Sequence, residues 1–129
     1  MNPLEQITDY FEHIVRLLDS CRVVQSHDVR PQPRTVTEGY LRGEVLFTDG
    51  TRLHFRELVS VEPTIQLISY AYQYMREDGA LIFRYDNTDH FPNLPAAPHH
   101  KHIGETEVIT ADAPDLQSVL REIERIIGT

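Results

Sequence analysis

Four of the chain's seven histidines fall between His90 and His102, and three of them stand in the run Pro98-His99-His100-Lys101-His102. The same run holds Lys101, the sole lysine among twelve basic residues. Imidazole exchanges protons near neutral pH and is the commonest metal-ligating side chain, so three chemistries compete. In the first, His99, His100 and His102, with His90, supply acid and base for cleaving a phosphodiester. Arg84 and Lys101 then stabilise charge on the phosphoryl oxygens, and Asp86 orients an imidazole. An RNA 2′-hydroxyl attacking its own phosphate needs a base, an acid and a cation, with no metal or cofactor. In the second, His99 and His102, with His90 or Asp86, hold a divalent zinc or manganese ion. His-x-x-His without a fixed third ligand is a weak signature of that kind. In the third, the histidines are structural, or dock a protein partner without doing chemistry. Three imidazoles in four residues beside the only lysine favour a functional cluster.

The strand signal Ile82-Phe83-Arg84-Tyr85-Asp86 delivers Arg84 and Asp86 to one face, because side chains along a strand alternate. Glu57 shares parity with Leu53 and Phe55, which makes it either an inward carboxylate with a raised pKa, able to act as a base or a histidine partner, or equally a strand-end residue turned out to water. Tyr70, Tyr72 and Tyr74 could stack on bases, but a half-buried tyrosine stripe on a sheet explains them better. His13, His27 and His54 have no clustered partners. There is no GxGxxG, P-loop or CxxC motif.

The elements that must position these groups are readable. Asn2, Pro3 and Glu5 form a helix start, and Leu4, Ile7, Phe11, Ile14 and Leu18 recur on one face. This predicts a helix over 3–19. A strand over 22–29 should end before Pro31 and Pro33, with Arg30 to Arg34 as a turn. Asp49-Gly50 and Asp78-Gly79 each signal a hairpin between alternating runs: Leu41, Val45 and Phe47 into Leu53 and Phe55, then the tyrosine stripe into Leu81, Phe83 and Tyr85. Residues 86–102, with Pro92, Pro95 and Pro98, predict a long loop, a feature that is often functional. Leu116, Val119, Leu120, Ile123 and Ile127 then form the stripe of a closing helix, with Asp112 and Pro114 near its start. The expected architecture is α+β: an antiparallel meander covered by an N-terminal and a C-terminal helix, in one domain over 1–129.

Composition narrows the class. A chain of 129 residues can bury about two thirds of its unfolded surface without disulfides. The single Cys21 cannot form an internal disulfide, which points to a reducing cytoplasm, and it reads as a small buried hydrophobe. No stretch approaches the roughly 18 apolar residues of a membrane span, and the Met-Asn-Pro start lacks the layout of a signal peptide. A net charge of −8 argues against a broad basic face for nucleic acid, so any such contact must be local. The meander's exposed edge strand permits a homodimer.

The run Leu81-Ile82-Phe83-Arg84-Tyr85-Asp86-Asn87, then His90, then Pro98-His99-His100-Lys101-His102, resembles the toxin component of the TumE/TumA toxin–antitoxin pairs. The Phe47-x-Asp49-Gly50-Thr51-x-Leu53 stretch leading to Glu57 and the tyrosine-rich strand resemble it too, so that the likeness spans roughly residues 20–127. It implies a small cytoplasmic toxin with a cognate antitoxin, acting by RNA cleavage. The family reads Asp-Asn-x-Pro-His-His where this chain has Asp86-Asn87-Thr88-Asp89-His90-Phe91. His90 matches the first histidine, whereas Asp89 and Phe91 replace the proline and the second histidine, and any role of that second imidazole is lost here.

Overall fold

Residues 2–89 and 91–128 are described by a computed structural model. The first helix, α1 (Pro3–Ser20), starts where Asn2 Oδ1 accepts the Glu5 amide at 2.8 Å. Glu5 answers through the Asn2 side chain, whose Nδ2 donates to Glu5 Oε1 at 3.1 Å. Seven strands follow: β1 (Val24–Pro33), β2 (Glu38–Phe47), β3 (Arg52–Ser60), β4 (Gln66–Met75), β5 (Leu81–Asp86), β6 (His100–Ile103) and β7 (Glu107–Thr110). They lie in sequence order and every neighbouring pair is antiparallel. The closing helix α2 (Leu116–Ile127) is capped by Asp115, whose side chain accepts from the Ser118 amide. It ends on Gly128 at φ 74°, the left-handed position that glycine adopts without penalty. This is the α+β meander with two helices that the residue pattern predicts.

Both Asp-Gly turns form, with Gly50 at φ 89° and Gly79 at φ 91°. Two expectations are corrected. The first strand does not stop at residue 29 but runs through Pro31 and Pro33, paired with Leu41 and Gly39. It is an edge strand, where a proline's missing N–H can face outward without breaking the ladder. The loop expected over 86–102 ends at His99, because His100–Ile103 pairs with β5 and Glu107–Thr110 pairs with it in turn. Strands of only four residues carry too little alternation to be read as strands.

One face of the sheet is buried by both helices. Ile14 and Leu18 of α1 and Leu116, Val119, Leu120 and Ile123 of α2 pack on Leu41, Val45, Phe47, Leu53, Phe55 and Phe83, while Ile7 of α1 is buried beside Gly39. Tyr70, Tyr72 and Tyr74 belong to this core and are at most 1% exposed, so the stripe is packing and not a base-stacking platform. A Cβ on Gly39 would lie 2.7 Å from Phe11, so glycine lets α1 approach β2 closely. No helix among the described residues is long and apolar enough to cross a membrane. Among the described residues, the opposite face carries no helix.

Candidate functional site

Strand pairing assembles two polar rows across the helix-free face. In the first, Arg30, Arg42, Arg56, Ala71, Asp86, His100 and Thr110 are successive cross-strand partners. In the second, the partners are Asp28, Glu44, His54, Gln73, Arg84, His102 and Val108. Period-two alternation therefore places Asp86, Arg84, His100 and His102 side by side, and sends Lys101 to the helix-covered face with Tyr85, its partner in the ladder.

Asp86 is the hub. Its Oδ2 accepts Arg84 Nε at 2.8 Å, and its Oδ1 accepts the Thr88 hydroxyl at 2.8 Å and the Thr88 amide at 3.1 Å. Burial alone would raise this carboxyl. The Arg84 and Thr88 hydrogen bonds outweigh it and hold the group below the usual carboxylate range. His100 Nε2 lies 2.8 Å from Oδ1 and His102 Nε2 lies 3.9 Å from Oδ2. The three ligand-capable atoms of Asp86, His100 and His102 all fall within 4.8 Å of one another. His100 is 1% exposed, whereas the His102 side chain is 27% exposed and faces outward. Burial pushes the His102 imidazole below its ordinary pKa. His100 and Arg84 push it the same way, and Asp86 opposes them.

Phe91 stands edge-on to both imidazoles, with ring centroids 4.9 Å from His100 and 5.7 Å from His102. The position where the resemblance places a second histidine therefore lies against the cluster, and here it is apolar. His90 lies outside the described residues.

Arg84 links this cluster to a cleft of about 320 Å³ lined by Arg42, Glu44, His54, Arg56, Gln73 and Arg84. Its Nη1 donates to Gln73 Oε1 at 2.6 Å. Arg42 donates to the Tyr40 hydroxyl and Arg56 to Ser69 Oγ, and among the described residues neither pairs with a carboxylate. Ala71, between Arg56 and Asp86 in the row, is small enough to leave the cleft open. Residue type singles out none of Arg42, Arg56 and Gln73, and His54, which spacing leaves without clustered partners, lines the same cleft 3.9 Å from Glu44. Their signal was the parity opposite to the apolar stripe: Arg42 and Glu44 alternate with Leu41 and Val45, and His54 and Arg56 with Leu53 and Phe55.

The remaining candidates lie on the other face. Lys101 Nζ donates to Glu122 Oε2 of α2 at 2.7 Å and sits over the Phe83 and Tyr85 rings. His99 stacks on Tyr70 at an interplanar angle of 7° and shares a 2.8 Å hydrogen bond with its hydroxyl. The structure therefore parts His99 from His102. Glu57 points inward and is 0% exposed, accepting from the Tyr10 and Tyr72 hydroxyls. Burial raises its pKa against the pull of those two hydrogen bonds, and no histidine partners it among the described residues.

A family model described as toxin TumE matches residues 14–127. No curated protein and no solved structure matches the chain.

Proposed function

Because the chain belongs to the TumE toxin family, we propose that it inhibits growth by cleaving RNA on the helix-free face of its sheet. The observation that carries this reading is the position of the cluster. Asp86, His100 and His102 adjoin, through Arg84, a cleft whose arginines pair with no carboxylate other than Asp86 among the described residues. Guanidinium groups suit phosphate, and this patch is local, which reconciles an anionic substrate with a net charge of −8.

In the metal-independent version, Arg42 and Arg56 hold the RNA backbone and Arg84 neutralises charge on the phosphoryl oxygens. His102, the outward imidazole, takes the proton of the 2′-hydroxyl as that oxygen bonds to phosphorus. The bond from phosphorus to the 5′-oxygen breaks, and water in the open cleft protonates the leaving oxygen. A pKa below the ordinary histidine value keeps His102 unprotonated at neutral pH, as a base requires. Asp86 and the buried His100 position it. In a second version, favoured by one atom of His100, the cluster holds a divalent ion. A cognate antitoxin would neutralise the protein by covering this face or by distorting the sheet beneath it.

The test is induction of the chain alone in a bacterial host, following growth and total RNA integrity for wild type, His102→Ala and His99→Phe. Growth arrest with RNA loss in wild type and His99→Phe, but not in His102→Ala, is expected. Arrest with intact RNA would end the ribonuclease reading.

A further inference from the structure

His100 Nε2 is buried and has no hydrogen-bond partner among the described residues, although Asp86 Oδ1 is 2.8 Å away. The other ring nitrogen, Nδ1, lies 2.9 Å from the Pro98 carbonyl oxygen, which can only accept, so Nδ1 carries the proton. In the neutral ring Nε2 is then a lone pair, held against a carboxylate that is itself kept ionised by Arg84 and Thr88. Two lone-pair donors at that distance repel one another unless a shared cation offsets them. A second proton on Nε2 would relieve the contact by making an N–H···O bond, but the carboxylate oxygen does not take up a hydrogen-bonding position on that nitrogen. With His102 Nε2, these atoms lie within 4.8 Å of one another, close enough to share one ion.

We infer that Asp86, His100 and His102 form a three-ligand site for a divalent transition-metal ion of the zinc or manganese class. The inference rests on the choice of site made above and deepens it. Two imidazole nitrogens and one carboxylate oxygen suit zinc or manganese, whereas magnesium and calcium prefer oxygen alone. The supporting shell is in place: Pro98 fixes the His100 tautomer, and Arg84 and Thr88 hold the carboxylate. Two ligands on a tetrahedral zinc stand about 3.3 Å apart given bonds of 2.0–2.1 Å, so seating the ion needs Asp86 to draw back by about half an ångström. Three protein ligands leave a coordination position open, the pattern of a catalytic ion rather than a structural one. Arg84 beside it keeps the site cationic and directs that position to an anion. A bound ion of this class acts as a Lewis acid on a phosphoryl oxygen. The ligand set differs from the His99–His102 pairing that spacing suggests, because those two side chains occupy opposite faces.

The experiment is calorimetric titration of the untagged full chain, stripped with chelator, with zinc and separately with manganese, together with the melting temperature. One ion per chain is expected, with a rise in Tm. His102→Gln and Asp86→Asn should weaken binding at least tenfold and lose the Tm rise, while His99→Gln keeps both. If Asp86→Asn does not fold, wild type against His102→Gln decides alone. No uptake by wild type, or equal uptake by His102→Gln, overturns the inference. Ion uptake without RNA cleavage would retain the metal site and remove the nuclease reading. Cleavage that persists in chelator, by a chain that takes up no ion, would do the reverse.

Discussion

Lys101 Nζ lies 2.7 Å from Glu122 Oε2, on the sheet face opposite to the one that carries His100 and His102. The sole lysine, adjacent in sequence to two site imidazoles, is thus a tie between β6 and α2. Burial by itself would lower its ammonium pKa, but the Glu122 and Tyr85 oxygens outweigh it and hold the group above the ordinary value. Tyr85 donates to the other Glu122 oxygen at 2.7 Å, so one carboxylate fastens two strands to the helix.

Lys101→Met should therefore act on stability and not on chemistry. Methionine keeps the apolar stem over Phe83 and Tyr85 but leaves Glu122 with Tyr85 alone. A half-buried, charge-assisted contact of this kind is worth about 1–2 kcal/mol. A lower urea midpoint is expected, with RNA cleavage per folded molecule close to wild type. A large loss of cleavage at unchanged stability would return Lys101 to the substrate.

His99 gives the complementary comparison. His99→Phe keeps the stack on Tyr70 and loses only the hydrogen bond to its hydroxyl. Cleavage within a few-fold of wild type is expected, at a stability cost of about 1 kcal/mol for the unpaired hydroxyl. A loss of cleavage as deep as that of His102→Ala would place the working chemistry at the Tyr70 side of the sheet.

The sequence made the histidine run visible because its imidazoles cluster beside the sole lysine, and Arg84 and Asp86 visible because they share strand parity just before it; it made the long strands visible because Leu41 to Phe47 and Leu53 to Glu57 alternate cleanly. It did not reveal that His100–Ile103 is a strand. Four residues reading His-Lys-His-Ile have no apolar period, and only their pairing with Phe83–Asp86 defines them. That missed strand hid the division of the cluster, since alternation alone separates Lys101 from its neighbours. The cleft was hidden for another reason: Arg42, Arg56 and Gln73 are ordinary solvent-face residues until strand order brings them beside Arg84.

If Arg42 and Arg56 hold RNA, each should report a phosphate. Arg42→Ala and Arg56→Ala are expected to weaken binding of a single-stranded 2′-O-methyl RNA several-fold. Each should also reduce the slope of log affinity against log salt by about 0.7, the counterion release of one single-strand phosphate contact. Arg84→Ala should be harsher, because it also frees Asp86 Oδ2 and Gln73. Fluorescence anisotropy at several salt concentrations measures all three. Unchanged affinity and slope in both single variants would remove the cleft from the RNA path.

Glu57 sets a pH dependence of its own. The fully buried carboxyl has a pKa raised by burial, with the Tyr10 and Tyr72 hydroxyls pulling the other way. A raised folded-state pKa means that the folded chain binds more protons than the unfolded one between the two values. Stability from this group is therefore complete below the unfolded carboxyl value, about pH 4.3, and is lost as pH rises through the folded value. Glu57→Gln is neutral throughout and can still accept from one tyrosine and donate to the other. Its stability relative to wild type should rise as pH climbs above the unfolded carboxyl value, about 4.3, and level off once the folded carboxyl has ionised. Urea midpoints of the two proteins across that range give the measurement, and a flat difference would mean that the buried carboxyl is not raised. Glu57→Ala lacks both partners for Tyr10 and Tyr72 and opens a cavity between α1 and β3, so it should lose about 2–4 kcal/mol at every pH.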